Sequence, residues 1–405
     1  MSLARLNAFC CIFYFNGATL NRFMTSLQVH LGFSSSEIGD VLGVVRILTS
    51  FISPTVSAYA DTHKLHRSMI FIQMIVKVMP AMIMWYLYAV DSLTLWPFFA
   101  LNGLMSILST GCGPMSDSLL LASLEDKSRY GKVRLWGALF YGLGNLVLGF
   151  LIQLYGDFHP MFFLAFICLF PTIAAIHYLL PPFASDTKPP FQLSIASVYN
   201  LLTHSSSVRI FFVNSIIIGA ACSLVESLLF VAMERAMNGS TPLIAGASVF
   251  ISVLCEIPIF QIAPTLIQRW GTKRMLLVAN LAWIVRALGY AVFASAWVVL
   301  VLELLHGITF GLYFSAAVHV CVKQSPPGME STMQSLLDMT FSGLGVALGT
   351  IGGGYLFELI GTSETFLLFS VFVALSSIAV SIGCKEVVES DSMAYHEMDE
   401  TTIGN

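Results

Sequence analysis

Asp117 and Arg134 stand on either side of a short polar break, Glu125-Asp126-Lys127-Ser128-Arg129, that separates two long apolar runs. Arg134 lies in the first turn of the second run, inside Tyr130-Gly131-Lys132-Val133-Arg134-Leu135-Trp136-Gly137. Asp117 lies about one helical turn inside the end of the first run. Helices joined by so short a break are antiparallel neighbours, so the acid and the base can face each other. Glu303 and His306 are three residues apart and share one face of a helix, where they can form a titratable pair. Arg46, Lys77, Glu226 and Arg286 also interrupt apolar runs. These residue types can recognise charge and carry protons. An intramembrane enzyme is the weakest reading, because no paired catalytic aspartates and no metal-ligand spacing occur within the apolar runs. No phosphate-binding glycine loop suggests ATP-driven pumping either.

The elements that must position these charges are membrane helices. Hydrophobic residues make up 57% of the chain, charged residues only 10%, and the mean hydropathy is +0.82. Soluble domains carry about 25% charged residues, and a spanning helix needs roughly 20 apolar ones. The chain divides into twelve expected spans, at 4–24, 38–60, 68–90, 94–122, 133–155, 160–180, 207–233, 243–267, 274–293, 296–322, 330–359 and 364–384. The expected fold is thus an all-α membrane protein with two six-helix halves, 1–180 and 207–384. A Pro- and Ser-rich linker, 181–206, joins them, and a polar, acidic tail, 385–405, is expected to be disordered. In a bilayer centre an ionised side chain costs roughly 2.5–3.5 kcal/mol, so each charge inside a span needs a partner or water. Arg46, Lys77 and Glu226 are therefore candidates for substrate or gating roles. A structural ion pair, or a lysine reaching to the interface, is the bland alternative. For His306 the bland alternative is a neutral ring bonded to a backbone carbonyl.

The eight cysteines form no CxxC pair and lie almost entirely in apolar runs, which argues for small core residues and against a disulfide framework or a zinc site. No metal or other cofactor is expected, and no basic face or aromatic-basic module points to nucleic acid. Arg5 alone is a weak start for a cleavable signal peptide, so the first span is expected to serve as its own insertion signal. Thirteen Lys and Arg residues fall in one set of loops, against only Arg22 and Arg235 in the other. By the positive-inside rule both termini and the linker are expected to be cytoplasmic, with the cell membrane as the expected location.

The two halves carry matching motifs. Gly142-Leu143-Gly144 with Leu151, Leu154 and Gly156 recurs as Gly343-Leu344-Gly345 with Leu356, Leu359 and Gly361, about half a chain later. Basic breaks, Asp61 to Arg67 and Arg269 to Arg274, likewise fall at equivalent places. Parallel six-helix repeats are the signature of rocking secondary transporters, and glycines allow the close helix packing that such motion needs.

With these residues placed, the chain resembles the major facilitator superfamily, in the branch of the lactose permease and the phenylpropionate-transporter-like proteins. The resemblance covers all twelve spans and is sharpest at Tyr130–Gly137 with Asp117 upstream. It implies that Asp117 and Arg134 bind substrate, as the corresponding acid and arginine bind sugar in the lactose permease. It extends the same role to Glu256, Arg286 and His306, which are similar to that permease's glutamate, arginine and histidine of helices 8, 9 and 10. Two departures matter. Thr309 stands where the permease has its proton-carrying glutamate, so Glu256, Glu303 or His306 must take that part. The family's loop signature between helices 2 and 3 keeps Ala60-Asp61 but loses its usual glycine in Thr62-His63-Lys64-Leu65-His66-Arg67, leaving Asp61 a gating candidate by analogy.

The expected function is alternating-access transport of a small organic solute, an aromatic or other organic acid, a sugar or a nucleoside, by proton symport. The alternatives are uncoupled facilitation and a receptor or sensor that keeps the fold without transport. Four intramembrane cations, Arg46, Lys77, Arg134 and Arg286, mildly favour an anion, although the lactose permease uses arginines on a neutral sugar. The expected partners are that solute, protons and the lipid bilayer.

Overall fold

A chain in hydrocarbon must satisfy its backbone polar groups internally, and among the described residues it does so with helices alone. The computed structural model describes residues 2–126, 129–182, 206–236, 242–292, 295–325 and 330–384. Helix α1 runs through Leu3–Thr19 and resumes at Phe23–His30. It is followed by α2 (Ser35–His63), α3 (His66–Ala89), α4 (Leu95–Ser123), α5 (Tyr130–Tyr155) and α6 (His159–Leu179). The second half holds α7 (Ser206–Glu234), α8 (Pro242–Trp270), α9 (Thr272–Val292), α10 (Trp297–Lys323), α11 (Met333–Leu359) and α12 (Thr362–Gly383). All but α1 are long and apolar enough to cross a membrane, although α3 is interrupted at Lys77 and α4 at 109–111. Residues 183–205 of the expected linker 181–206, the expected tail 385–405 and Lys127 lie outside the described residues.

The first span is the main correction. It was expected to end at residue 24, with Arg22 in a loop; instead the helix breaks at 20–22 and continues to His30. Thr25, Ser26 and Gln28 end the apolar run in the sequence, yet all three are buried. The segment Phe23–His30 packs on the last turns of α7, with the Phe23 and Phe230 rings 5.8 Å apart. Arg22 therefore sits in the break of a span, not among loop residues.

Helix ends follow local chemistry. Ser34 and Glu37 form a reciprocal capping box at the start of α2. The connection from α8 to α9 is the single residue Gly271, whose φ of 75° a side chain would disfavour. Trp96 and Trp297 open α4 and α10, both with about three quarters of their surface exposed (76% each). They lie about half a chain apart, at equivalent places in the two halves, where aromatic residues anchor helices at a bilayer surface.

The halves meet along two seams, α2 with α11 and α5 with α8. Both depend on missing side chains. A Cβ on Gly39 would strike the Thr350 carbonyl, and one on Gly354 the Ser35 carbonyl. On the other seam, a Cβ on Gly149 would strike the Pro242 carbonyl and one on Gly246 the Asn145 carbonyl. Six of the seven buried residues of α2 lie between Ser35 and Val45, and six of the seven in α8 between Ala245 and Val253. The seams are therefore tight at the face where α2 and α8 begin. Toward the other face, where α1 starts and α12 ends, the helices part.

Candidate functional site

Between the two seams the halves enclose a cavity of about 340 Å³. Its walls carry Tyr14, Arg22, Arg134 and Tyr141 from the first half, and Glu226, Ser252, Glu256, Arg286, Glu303 and His306 from the second.

On the first-half wall, the Arg134 Nε lies 3.6 Å from Asp117 Oδ1, and its guanidinium sits 4.0 Å over the Tyr14 ring. The Tyr14 hydroxyl donates to the same carboxylate oxygen at 3.2 Å. Gly137 lets this ring lie directly against α5. Asp117 and Arg134 thus meet, as their spacing suggested, but only Arg134 faces the cavity; Asp117 stands behind it. Both are about a third exposed (33% and 37%), so the ion pair itself contributes little stability. Asp117→Asn is expected to lower stability by less than about 1 kcal/mol while abolishing uptake. Arg134→Lys should fail likewise, because an ammonium cannot both pair and stack as a flat guanidinium does. Thermal midpoints and uptake measured side by side would check this; normal uptake by both variants would make the pair incidental.

The second-half wall is a connected network. Arg286, fully buried at 0% exposure, donates to Glu303 Oε2 at 2.5 Å, to His306 Nδ1 at 2.8 Å, to Thr309 Oγ1 at 3.1 Å and to the Tyr290 hydroxyl at 3.0 Å. Glu303 also accepts from Tyr290 at 2.8 Å and from Ser252. A guanidinium can only donate, so His306 Nδ1 must present its lone pair and the ring proton sits on Nε2. That nitrogen lies 2.8 Å from Glu256 Oε1. Gly307 sets this contact: a Cβ there would strike the Cys255 carbonyl, so its absence lets α10 close on α8 beside Glu256. The sequence-predicted Glu256, Arg286, Glu303 and His306 are therefore brought together.

The remaining candidates divide. Glu226 pairs with Arg22 across the halves at 2.9 Å. Arg46 donates through Nε to the Ser342 carbonyl at 2.7 Å, on the α2–α11 seam rather than in the cavity. Lys77 sits at the break in α3 between Val76 and Val78 and lines a separate small groove with Asn16 and Trp85. Asp61 holds His66, almost fully buried (1% exposed), at 2.7 Å, and Arg67 donates to the carbonyls closing α6, those of His177 and Leu180. The left-handed turn that the missing glycine would favour is taken by Lys64 at φ 55°. Sequence reasoning missed Arg22, Tyr14, Tyr141, Ser252 and Tyr290. Uncharged side chains carry no cost signal in an apolar run, and Arg22 was hidden by the polar residues after it.

The chain matches the MFS_1 like family over residues 3–368. It is 27% identical to the maltose permease of Geobacillus stearothermophilus over 364 residues, 89% of either chain. It is 22% identical to the sucrose permease of Escherichia coli over 371 residues, 86% of this chain and 85% of that one. Its fold superposes on the crystal structure of the nucleoside transporter NupG with a TM-score of 0.79 at 16% identity, covering 94% of this chain and 98% of that one. The two-half helical fold, the cavity between the halves and the family match agree: this chain belongs to the MFS_1 like family of the major facilitator superfamily, and is a multi-pass membrane transporter rather than an enzyme.

Proposed function

We propose that the chain is a proton symporter for a neutral, polyhydroxylated solute, a sugar or a nucleoside, which moves by rocking of the halves 1–180 and 207–384 about the cavity. The observation that carries this reading is the pairing of charges. Each cavity arginine already has a carboxylate: Arg22 has Glu226, Arg134 has Asp117 and Arg286 has Glu303. An anionic solute would have to displace one of these internal acids. The preference for an anion drawn from the number of basic residues loses its force once each is matched. Arg46 and Lys77 lie outside the cavity and add nothing to it. The hydroxyls of Ser248 and Ser252, together with flat Tyr14, Tyr141 and Phe310, suit a solute with many hydroxyls and an apolar face.

Glu256 is the exception among the acids. It faces the cavity, with 18% of its side chain exposed, and its partner is a neutral imidazole, not a guanidinium. It can take up a proton without breaking a pair with an arginine, and the cavity is then electrically neutral. Glu256 is accordingly assigned the proton, with His306 as its neighbour and Glu303 as the fixed counter-ion of Arg286. The chain is placed in the cell membrane with both termini and the 181–206 linker cytoplasmic. With Arg22 in the break of a span and Arg235 in the last turn of a helix that ends at Ala236, the basic asymmetry between the two sides is strengthened.

A thermal-shift screen tests the substrate class, because a ligand at one hundred times its Kd stabilises the folded state by about 2.7 kcal/mol. A rise in midpoint with a sugar or nucleoside, and none with organic acids or amines, is expected. A rise confined to acids or amines would overturn the reading.

A further inference from the structure

Among the described residues of the second half, three segments widen into π-turns: Leu224–Leu228 in α7, Gly307–Leu312 in α10 and Met339–Gly345 in α11. A π-turn bonds each carbonyl five residues on instead of four, and where it rejoins the α-ladder a carbonyl is left short of a partner. Such an oxygen, buried from water, needs a donor from elsewhere. Each of the three segments has one. The Glu226 carbonyl accepts from Arg22, the Thr309 carbonyl from Trp283 Nε1 at 3.1 Å, and the Ser342 carbonyl from Arg46 Nε at 2.7 Å. Two of the donors, Arg22 and Arg46, come from the opposite half of the molecule.

The placement of these two contacts is the second observation. Arg22 reaches α7 from the break in α1, and its other nitrogen holds the Glu226 carboxylate at 2.9 Å. Arg46 reaches α11 between the Gly43–Ile351 and Ser50–Gly343 approaches of the α2–α11 seam. Arg22 lies where the first helix packs on α7, and Arg46, itself exposed, stands at the edge of the tight stretch Ser35–Val45. An arginine in hydrocarbon is costly unless its donors are met, and a π-turn carbonyl offers an acceptor that an unbroken helix lacks.

We infer that the π-turns of α7 and α11 are sockets in which Arg22 and Arg46 clasp the two halves together, holding the cavity shut at the face where α2 and α8 begin. The inference rests on the transporter reading. Release of the arginines is the step that lets that face open, and the α7 socket couples it to the cavity, because Glu226 lines the wall. Trp283 fills the third socket from within its own half, and so serves as a built-in control.

The test reads the sidedness of the cavity and needs no substrate, so it can fail independently of the symport reading. Ser248→Cys places a thiol on the cavity wall, and a membrane-impermeant maleimide is added to oriented vesicles from either face. Labelling is counted above that of the parent chain with its eight native cysteines. With Arg22 and Arg46 present, labelling from the face where α2 and α8 begin is expected to be slow. Arg22→Gln and Arg46→Gln should each speed it about tenfold or more, as the loss of a hydrogen bond to a charged group predicts. Trp283→Phe should lower the thermal midpoint without changing sidedness. Arg22→Lys, which folds with the charge retained but cannot bridge carbonyl and carboxylate together, should fall between the extremes. If both glutamine variants lower the midpoint and leave sidedness unchanged, the arginines are only structural. If Arg22→Lys labels at the parent rate, charge alone suffices. Either result overturns the clasp.

Discussion

Glu303→Gln is expected to be the most damaging single substitution in the molecule. It would leave the Arg286 guanidinium, fully buried, with no carboxylate in direct contact. Breaking a buried pair by removing one partner costs about 3–5 kcal/mol, because the remaining charge stays in low dielectric. The glutamine keeps the shape and can still accept from Tyr290 or Ser252, so the loss reports the charge rather than a cavity. Arg286→Gln in the same chain should recover part of that loss, since the orphaned charge is then gone. The measurement is the thermal midpoint in detergent for both single variants and the double. A Glu303→Gln midpoint equal to that of the wild type would mean that Glu303 is already protonated, and would make it, not Glu256, the proton carrier.

Glu256→Gln is expected to do the opposite: little harm to folding and complete loss of coupling. Its carboxylate is partly exposed and its partner His306 is neutral, so no guanidinium is stranded by the change. One pH unit is worth about 1.4 kcal/mol, which for one proton per solute drives at most about tenfold accumulation. In Glu256→Gln the accumulation ratio should fall to about one under the same gradient, while exchange of labelled for unlabelled solute continues. Persistent accumulation in this variant would move the proton elsewhere on the cavity wall.

How far the sequence led can be judged residue by residue. The helical class and the half-chain repeat were legible because a bilayer imposes length and apolarity on each span, and Gly142 and Gly343 mark equivalent turns. Arg286, Glu303 and His306 stood out because charge inside an apolar run is costly and seldom idle. Their convergence was legible only in part. The spacing of Glu303 and His306 puts them on one face, but the approach of α10 to α8 depends on Gly307 meeting the Cys255 carbonyl, a contact between helices some fifty residues apart. Arg22 was misplaced because Thr25, Ser26 and Gln28 look like loop residues until the second half covers them. The π-turns have no sequence signature of their own. Only the folded chain shows that a side chain such as Arg46 donates to a carbonyl of the wide turn.

The central claim, that a neutral solute moves together with a proton, is tested most directly by accumulation in reconstituted vesicles with an alkaline interior. Labelled sugars, nucleosides and organic acids are supplied in parallel, with and without a protonophore. A sugar or nucleoside should accumulate above its external concentration, by up to about tenfold per pH unit. Collapse of the gradient should return it to equality. Uptake of neutral solutes that merely equilibrates whatever the gradient, or accumulation confined to an organic acid, would contradict the account.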